Sequence, residues 1–101
     1  MADFAKVASL SDLKPGTAMA VDVNGKTIAL FNVEGKIYAT DNTCLHQGGP
    51  LAEGTLAGEI VSCPWHQWEY NVTTGENVGN ESLRLATYTV QVDGADIKVA
   101  V

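Results

Sequence analysis

Long hydrophobic runs are missing from this chain. No apolar stretch approaches the ~18 residues that a membrane-spanning helix needs, and the opening MADFAKVASL carries no leader pattern. A cytoplasmic protein with no membrane contact is therefore expected. Positive charge is scarce too: six Lys and Arg face twelve Asp and Glu, for a net charge of -6. Six scattered cations do not build the electropositive face that a nucleic acid requires, so no nucleic-acid partner is expected. An acidic carrier that docks on basic patches of protein partners fits this balance, because complementary charge speeds encounter. Solubility alone accounts for it equally well. Cysteine is also rare, and two residues of it make no disulfide scaffold, although they can close one bridge. Internal repeats, linkers and capped helical stripes are absent.

What is present reads as short strands. At 101 residues with 46% apolar content, the chain suits one folded domain with a modest core. MAVDV (Met19 to Val23) and KTIALFNV (Lys26 to Val33) meet across Asn24-Gly25, and the latter meets KIYAT (Lys36 to Thr40) across Glu34-Gly35. ATYTVQV (Ala86 to Val92) runs through Asp93-Gly94 into DIKVA (Asp96 to Ala100). Alternation in the last pair implies one wet face each. Short strands punctuated by glycine predict a small all-β sandwich or barrel-like domain. Met19, Ile28, Leu30, Phe31, Ile37 and Val90 read as core; Asp22, Lys26, Lys36 and Lys98 read as wet.

The middle breaks this rhythm. DNTCLHQGGPLAEGTLAG (Asp41 to Gly58) is glycine-rich and has loop composition. GEIVSC (Gly58 to Cys63) holds one short strand, and a second is expected over Trp68 to Val72. The only two cysteines and the only two histidines all fall here, as Cys44-x-His46 and Cys63-x-x-His66, with sixteen residues between the arms from Gln47 to Ser62. Each pair sits in a loop beside a strand, where a rigid sheet can hold ligands. One zinc could take all four in a tetrahedron, but the usual zinc arrangement puts two cysteines in one arm and two histidines in the other. A binuclear iron–sulfur cluster gives the mixture a reason, because each loop then spans both irons.

Cys44-Leu45-His46 and Cys63-Pro64-Trp65-His66 resemble the two ligand boxes of Rieske [2Fe–2S] proteins. The closest likeness is to the small Rieske-type ferredoxins of bacterial multicomponent ring-hydroxylating oxygenases, and it covers nearly the whole chain. The resemblance implies an all-β fold, an antiparallel β-sandwich with a small cluster-binding subdomain of two loops and short strands. Residues 1–101 would form one domain, with a cluster-binding region of about 41–83 inserted in the β base. It further implies one [2Fe–2S] cluster, with Cys44 and Cys63 on the buried iron and His46 and His66 on the outer one. A flavoprotein reductase and a terminal oxygenase would be its partners, and a monomer is expected. Two thiolates and two sulfides leave the diferric centre formally neutral. Four-thiolate ligation carries two more negative charges, so the histidine site is easier to reduce. Each iron already has four donors, which argues against substrate chemistry at the metal. Ser62 has no histidine left to activate it.

The residues around the boxes bear on potential. High-potential members carry a further cysteine in each box, joined as a disulfide, and a serine aimed at a sulfide. The matching places here are Gly49 and Trp65 for the cysteines and Trp68 for the serine. Their absence predicts a centre near the low end of the Rieske range, about -150 mV. Gln47 and Gly48 follow the first box, where glycine lets backbone N–H groups approach the sulfides. Tyr70 has two readings, a hydroxyl directed at a cysteine sulfur or a packed strand aromatic. Gln67 stands where glycine is common, and Gly75 to Leu83, the expected covering loop, lacks its usual proline. Two other readings stay open: the small Rieske-like subunit of an NAD(P)H-dependent nitrite reductase, and a structural zinc domain used for protein binding.

Overall fold

A computed structural model describes residues 4–23, 25–43, 50–64 and 68–100. Among these residues the chain forms twelve strands and no α-helix. They are β1 (Phe4–Ser9), β2 (Ala18–Val23), β3 (Lys26–Val33), β4 (Lys36–Asp41), β5 (Thr55–Ala57), β6 (Ile60–Ser62), β7 (Glu69–Asn71), β8 (Glu76–Asn77), β9 (Asn80–Arg84), β10 (Thr87–Tyr88), β11 (Val90–Asp93) and β12 (Asp96–Ala100). Two short 3-10 turns, Leu10–Asp12 and Leu51–Glu53, interrupt them. The strands make three sheets ordered β1-β12-β11, β10-β4-β3-β2 and β5-β6-β7-β8-β9, with every pairing antiparallel. Among the described residues no helix is long and apolar enough to cross a membrane.

The non-alternating run IALF in β3 has a structural cause. Side chains alternate across a strand, so a strand covered on both faces needs apolar residues at successive positions. Ala29 and Phe31 pack with Leu51, Val61, Tyr70 and Leu85. Ile28 and Leu30 pack on the other side with Leu13, Ile37, Ile97 and Val99. Phe31, Ile28 and Leu30 are fully buried and Ile37 nearly so, whereas Met19 and Val90 only border the core. The hairpins at residues 24–25 and 34–35 close as expected, with Val23 opposite Lys26 and Val33 opposite Lys36. Glu34 and Gly35 both have positive φ, 52° and 97°, as a tight primed turn demands. Buried Asn32 braces that turn: its Oδ1 accepts from the Gly35 N–H at 2.8 Å, while its Nδ2 donates to the Leu13 carbonyl at 2.8 Å.

Several expected boundaries move. The segment from Ala86 to Val92 is two strands, because Thr87 and Tyr88 pair with β4 whereas Val90 onward pairs with β12. One run thus serves two sheets and changes partner at Thr89. Its following turn is Gly94-Ala95, since Asp93 itself pairs with Asp96. The stretch from Gly75 to Leu83 is mostly a hairpin, β8–β9. The Val78 N–H donates to the Glu69 carbonyl at 2.9 Å, which fixes that hairpin against β7. β1 and β5 had no sequence signal that set them apart from coil.

All strands of the third sheet come from one continuous length of chain. That length leaves after β4 and returns at β10, which lies beside β4, with Thr40 opposite Thr87 and Ala39 opposite Tyr88. The junction is fastened twice more. The Asp41 N–H donates to the Ala86 carbonyl at 2.9 Å, and the Tyr88 hydroxyl donates to Asp41 Oδ1 at 2.6 Å. Partial burial, then the hydrogen bond and negative charge of Asp41, push Tyr88 up to about 12 from its usual 10.0, so its hydroxyl remains a donor at neutral pH.

Candidate metal centre

The segment that carries the first candidate pair begins just after β4 ends. Asn42, 9% exposed, donates its N–H to the Thr27 carbonyl at 3.3 Å. Its carbonyl accepts from the Leu51 N–H at 2.8 Å, and its Oδ1 accepts from the Ala52 N–H at 2.9 Å. Thr43 and Pro50 form an isolated antiparallel bridge. The two ends of the 44–49 segment are therefore held side by side. Cys44, His46, Gln47 and Gly48 fall within that segment and lie outside the described residues.

The chain re-enters the core at once. Leu51 is fully buried against the cluster of Phe31, Val61, Cys63 and Tyr70. It opens the 3-10 turn that Gly54 closes through an N–H bond to the Leu51 carbonyl at 3.0 Å. β5, β6 and β7 follow as a meander, with Thr55 opposite Ser62 and Ser62 opposite Glu69.

The second loop starts at the end of β6. The Cys63 N–H donates to the Trp68 carbonyl at 2.7 Å and closes the turn across residues 64–67. Trp65 and His66 lie outside the described residues, as does Gln67. Cys63 is 1% exposed and packs among apolar side chains. Of the sequence-predicted site residues, the structure brings Cys63, Trp68 and Tyr70 together: Tyr70 is fully buried in the cluster that holds Cys63, and Trp68 packs against its edge. An open hollow of about 340 Å³, lined by Thr55, Ser62, Cys63 and Pro64, borders this turn.

This environment limits the chemistry. At 1% exposure the Cys63 side chain offers little access to an external electrophile, so it suits packing or metal ligation rather than covalent catalysis. Ser62 Oγ lies 3.5 Å from Glu69 Oε2 on the surface, too far for an activated hydroxyl. Among the described residues no three His, Cys, Asp or Glu gather closely enough to hold a metal, as follows when one expected ligand of four is described. The donor chemistry nonetheless fits an iron–sulfur centre: soft thiolates and imidazoles on two short loops, with the described cysteine shielded from water. Asn42 and Gly54 were not marked by sequence reasoning as site residues. Their signal is weak, since an Asn before a loop and a Gly within one are ordinary turn composition.

Relatives bear directly on the family. The ferredoxin component of the naphthalene 1,2-dioxygenase/salicylate 5-hydroxylase systems of Ralstonia sp is 41% identical over 87 residues, covering 85% of this chain and 84% of that one. The ferredoxin of carbazole 1,9a-dioxygenase from Nocardioides aromaticivorans IC177 superposes with a TM-score of 0.89 at 34% identity, covering 96% of both chains. A solved complex of reduced oxygenase and oxidised ferredoxin in carbazole 1,9a-dioxygenase contains a chain that matches with a TM-score of 0.88 at 35% identity. That match covers 96% of this chain and 92% of the other. The model of the Rieske [2Fe-2S] domain matches residues 3–89, a span that takes in both loops and the strands that close them. With most of its length matched by that model, the chain belongs to the Rieske [2Fe–2S] domain family, whose cofactor is one [2Fe–2S] cluster.

Proposed function

We propose that this protein is the ferredoxin of an aromatic-ring-hydroxylating dioxygenase system. It takes single electrons from an NAD(P)H-dependent flavoprotein reductase and passes them to a terminal oxygenase, as a cytoplasmic monomer. The observation that carries this reading is the match, over nearly the whole length, to ferredoxin components of such systems. When bound, the cluster supplies reversible one-electron reduction. In this reading Cys44, His46, Cys63 and His66 hold it, and Tyr70 and Trp68 close the apolar side from water. Charge supports the carrier role. Five glutamates and one arginine lie between Glu53 and Arg84, so four of the six net negative charges fall on the part of the chain around the second loop. A basic face on a partner complements that distribution.

Protein purified under iron-replete conditions should be red-brown, with two irons and two acid-labile sulfides per chain, and should show a reduced-state EPR signal. It should then carry electrons from a flavoprotein reductase to a dioxygenase. A colourless protein with one zinc and no iron overturns the reading.

Tyr70 offers a second measurement. A fully buried phenol ordinarily needs a hydrogen-bond partner. If that partner is a cluster-ligating sulfur, Tyr70→Phe lowers the reduction potential, because a donor to sulfur favours the reduced state. Protein-film voltammetry should show a drop of some tens of millivolts, on the order of 1 kcal/mol of lost stabilisation. An unchanged potential would assign Tyr70 to packing alone.

A further inference from the structure

The described residues that flank the 44–49 segment are joined to those that lead into Cys63 by a series of close contacts. Asn42 grips the far side of the first loop through Leu51 and Ala52. Three residues on, Gly54 lies against the peptide that leads into Cys63. A Cβ at position 54 would overlap the Ser62 carbonyl oxygen, come within 3.0 Å of the Ser62 carbonyl carbon and stand 3.2 Å from the Leu51 carbonyl oxygen. The obstacles are all backbone, so no side chain can turn aside to make room. Gly54 has φ of -80°, a value open to every residue. Glycine is required here for contact and not for backbone conformation.

We propose that Asn42 and Gly54 are positioning residues that set the separation of the two ligand arms. This rests on the assignment of Cys44, His46, Cys63 and His66 as ligands. A cluster held from two sides needs its four donors at separations fixed to a few tenths of an ångström, which an independently moving pair of loops does not provide. Gly54 brings the returning limb of the first loop into van der Waals contact with the entry to the second. Asn42 ties that limb to the outgoing one and, through Thr27, to β3. A methyl group at position 54 pushes one arm away from the other. Loss of Oδ1 at position 42 frees the Ala52 N–H and lets the returning limb drift.

The test compares wild type, Gly54→Ala, Asn42→Ala and Asn42→Asp as purified holoproteins. Iron and sulfide content, EPR g values after reduction, and the rate of iron loss to a chelator are read alongside far-ultraviolet circular dichroism. Gly54→Ala and Asn42→Ala should shift the g values and lose iron about tenfold faster or more. Asn42→Asp keeps the Oδ1 acceptor and should restore the wild-type g values and loss rate. Should Gly54→Ala fail to fold, the Asn42 pair decides. Wild-type g values and loss rates in Asn42→Ala, or failure of Asn42→Asp to restore them, overturn the inference. A wild-type protein without iron and sulfide instead overturns the ligand assignment, and this inference with it.

Discussion

Cys63→Ser is expected to give a colourless protein with iron and sulfide near zero. The chain has two cysteines, and the proposed ligation uses both on one iron, so no spare thiolate can stand in. A serine hydroxyl is a harder donor that ionises far less readily at neutral pH, and it does not replace the thiolate. Cys44→Ser should behave in the same way. The competing account makes Cys63 a small apolar residue of the core cluster. Under that account the serine variant retains colour and metal, and merely loses about 1–3 kcal/mol for enclosing a hydroxyl among apolar neighbours. Iron analysis and the visible spectrum of one preparation distinguish the two outcomes. They should be read with the unfolding midpoint, so that loss of metal is not confused with loss of fold.

Leu51→Ala should produce a large loss of stability. Leu51 is fully buried where the first loop rejoins the core, against Phe31, Val61 and Tyr70. Removing its three outer carbons leaves a cavity bounded by strands that cannot collapse freely. The expected cost is about 2–5 kcal/mol. At roughly 4–8 °C per kcal/mol for a domain of this size, the melting temperature should fall by about 10 °C or more. Urea unfolding of the holoprotein, with an unchanged m value, measures the difference. A loss well below 1 kcal/mol would mean that the loop is anchored elsewhere.

The proposed ligands stand out in the sequence because their chemistry is concentrated, with four rare donors in two short arms. The hairpins at 24–25 and 34–35 were legible because each turn demands positive φ and the sequence supplies Asn-Gly or a glycine. β1 was not. FAKVAS has weak alternation, and its place is set by pairing with β12, about ninety residues away in the chain. β8 and β9 hid behind their own composition, since Asn77, Gly79 and Asn80 read as loop in isolation. The break at Thr89 is a tertiary fact. TYTVQV alternates without interruption, and only the positions of β4 and β12 decide that it serves both. Asn42 and Gly54 carry the same lesson, because the contacts that distinguish them come from residues ten and eight positions further on.

The adjacency of β4 and β10 has a consequence for how this protein can be altered. From Asn42 to Ala86 the chain makes a 45-residue excursion whose two ends are stitched together at the base by Asp41, Ala86 and Tyr88. The entropy of closing such an excursion grows only logarithmically, so doubling its length adds about 0.6 kcal/mol. Additions at an exposed tip such as Gly58-Glu59 are thermodynamically cheap, provided the local strands are spared. The seam at the base acts as a socket. What is plugged into it can be enlarged or redrawn to suit another partner while the supporting sheets keep their sequence.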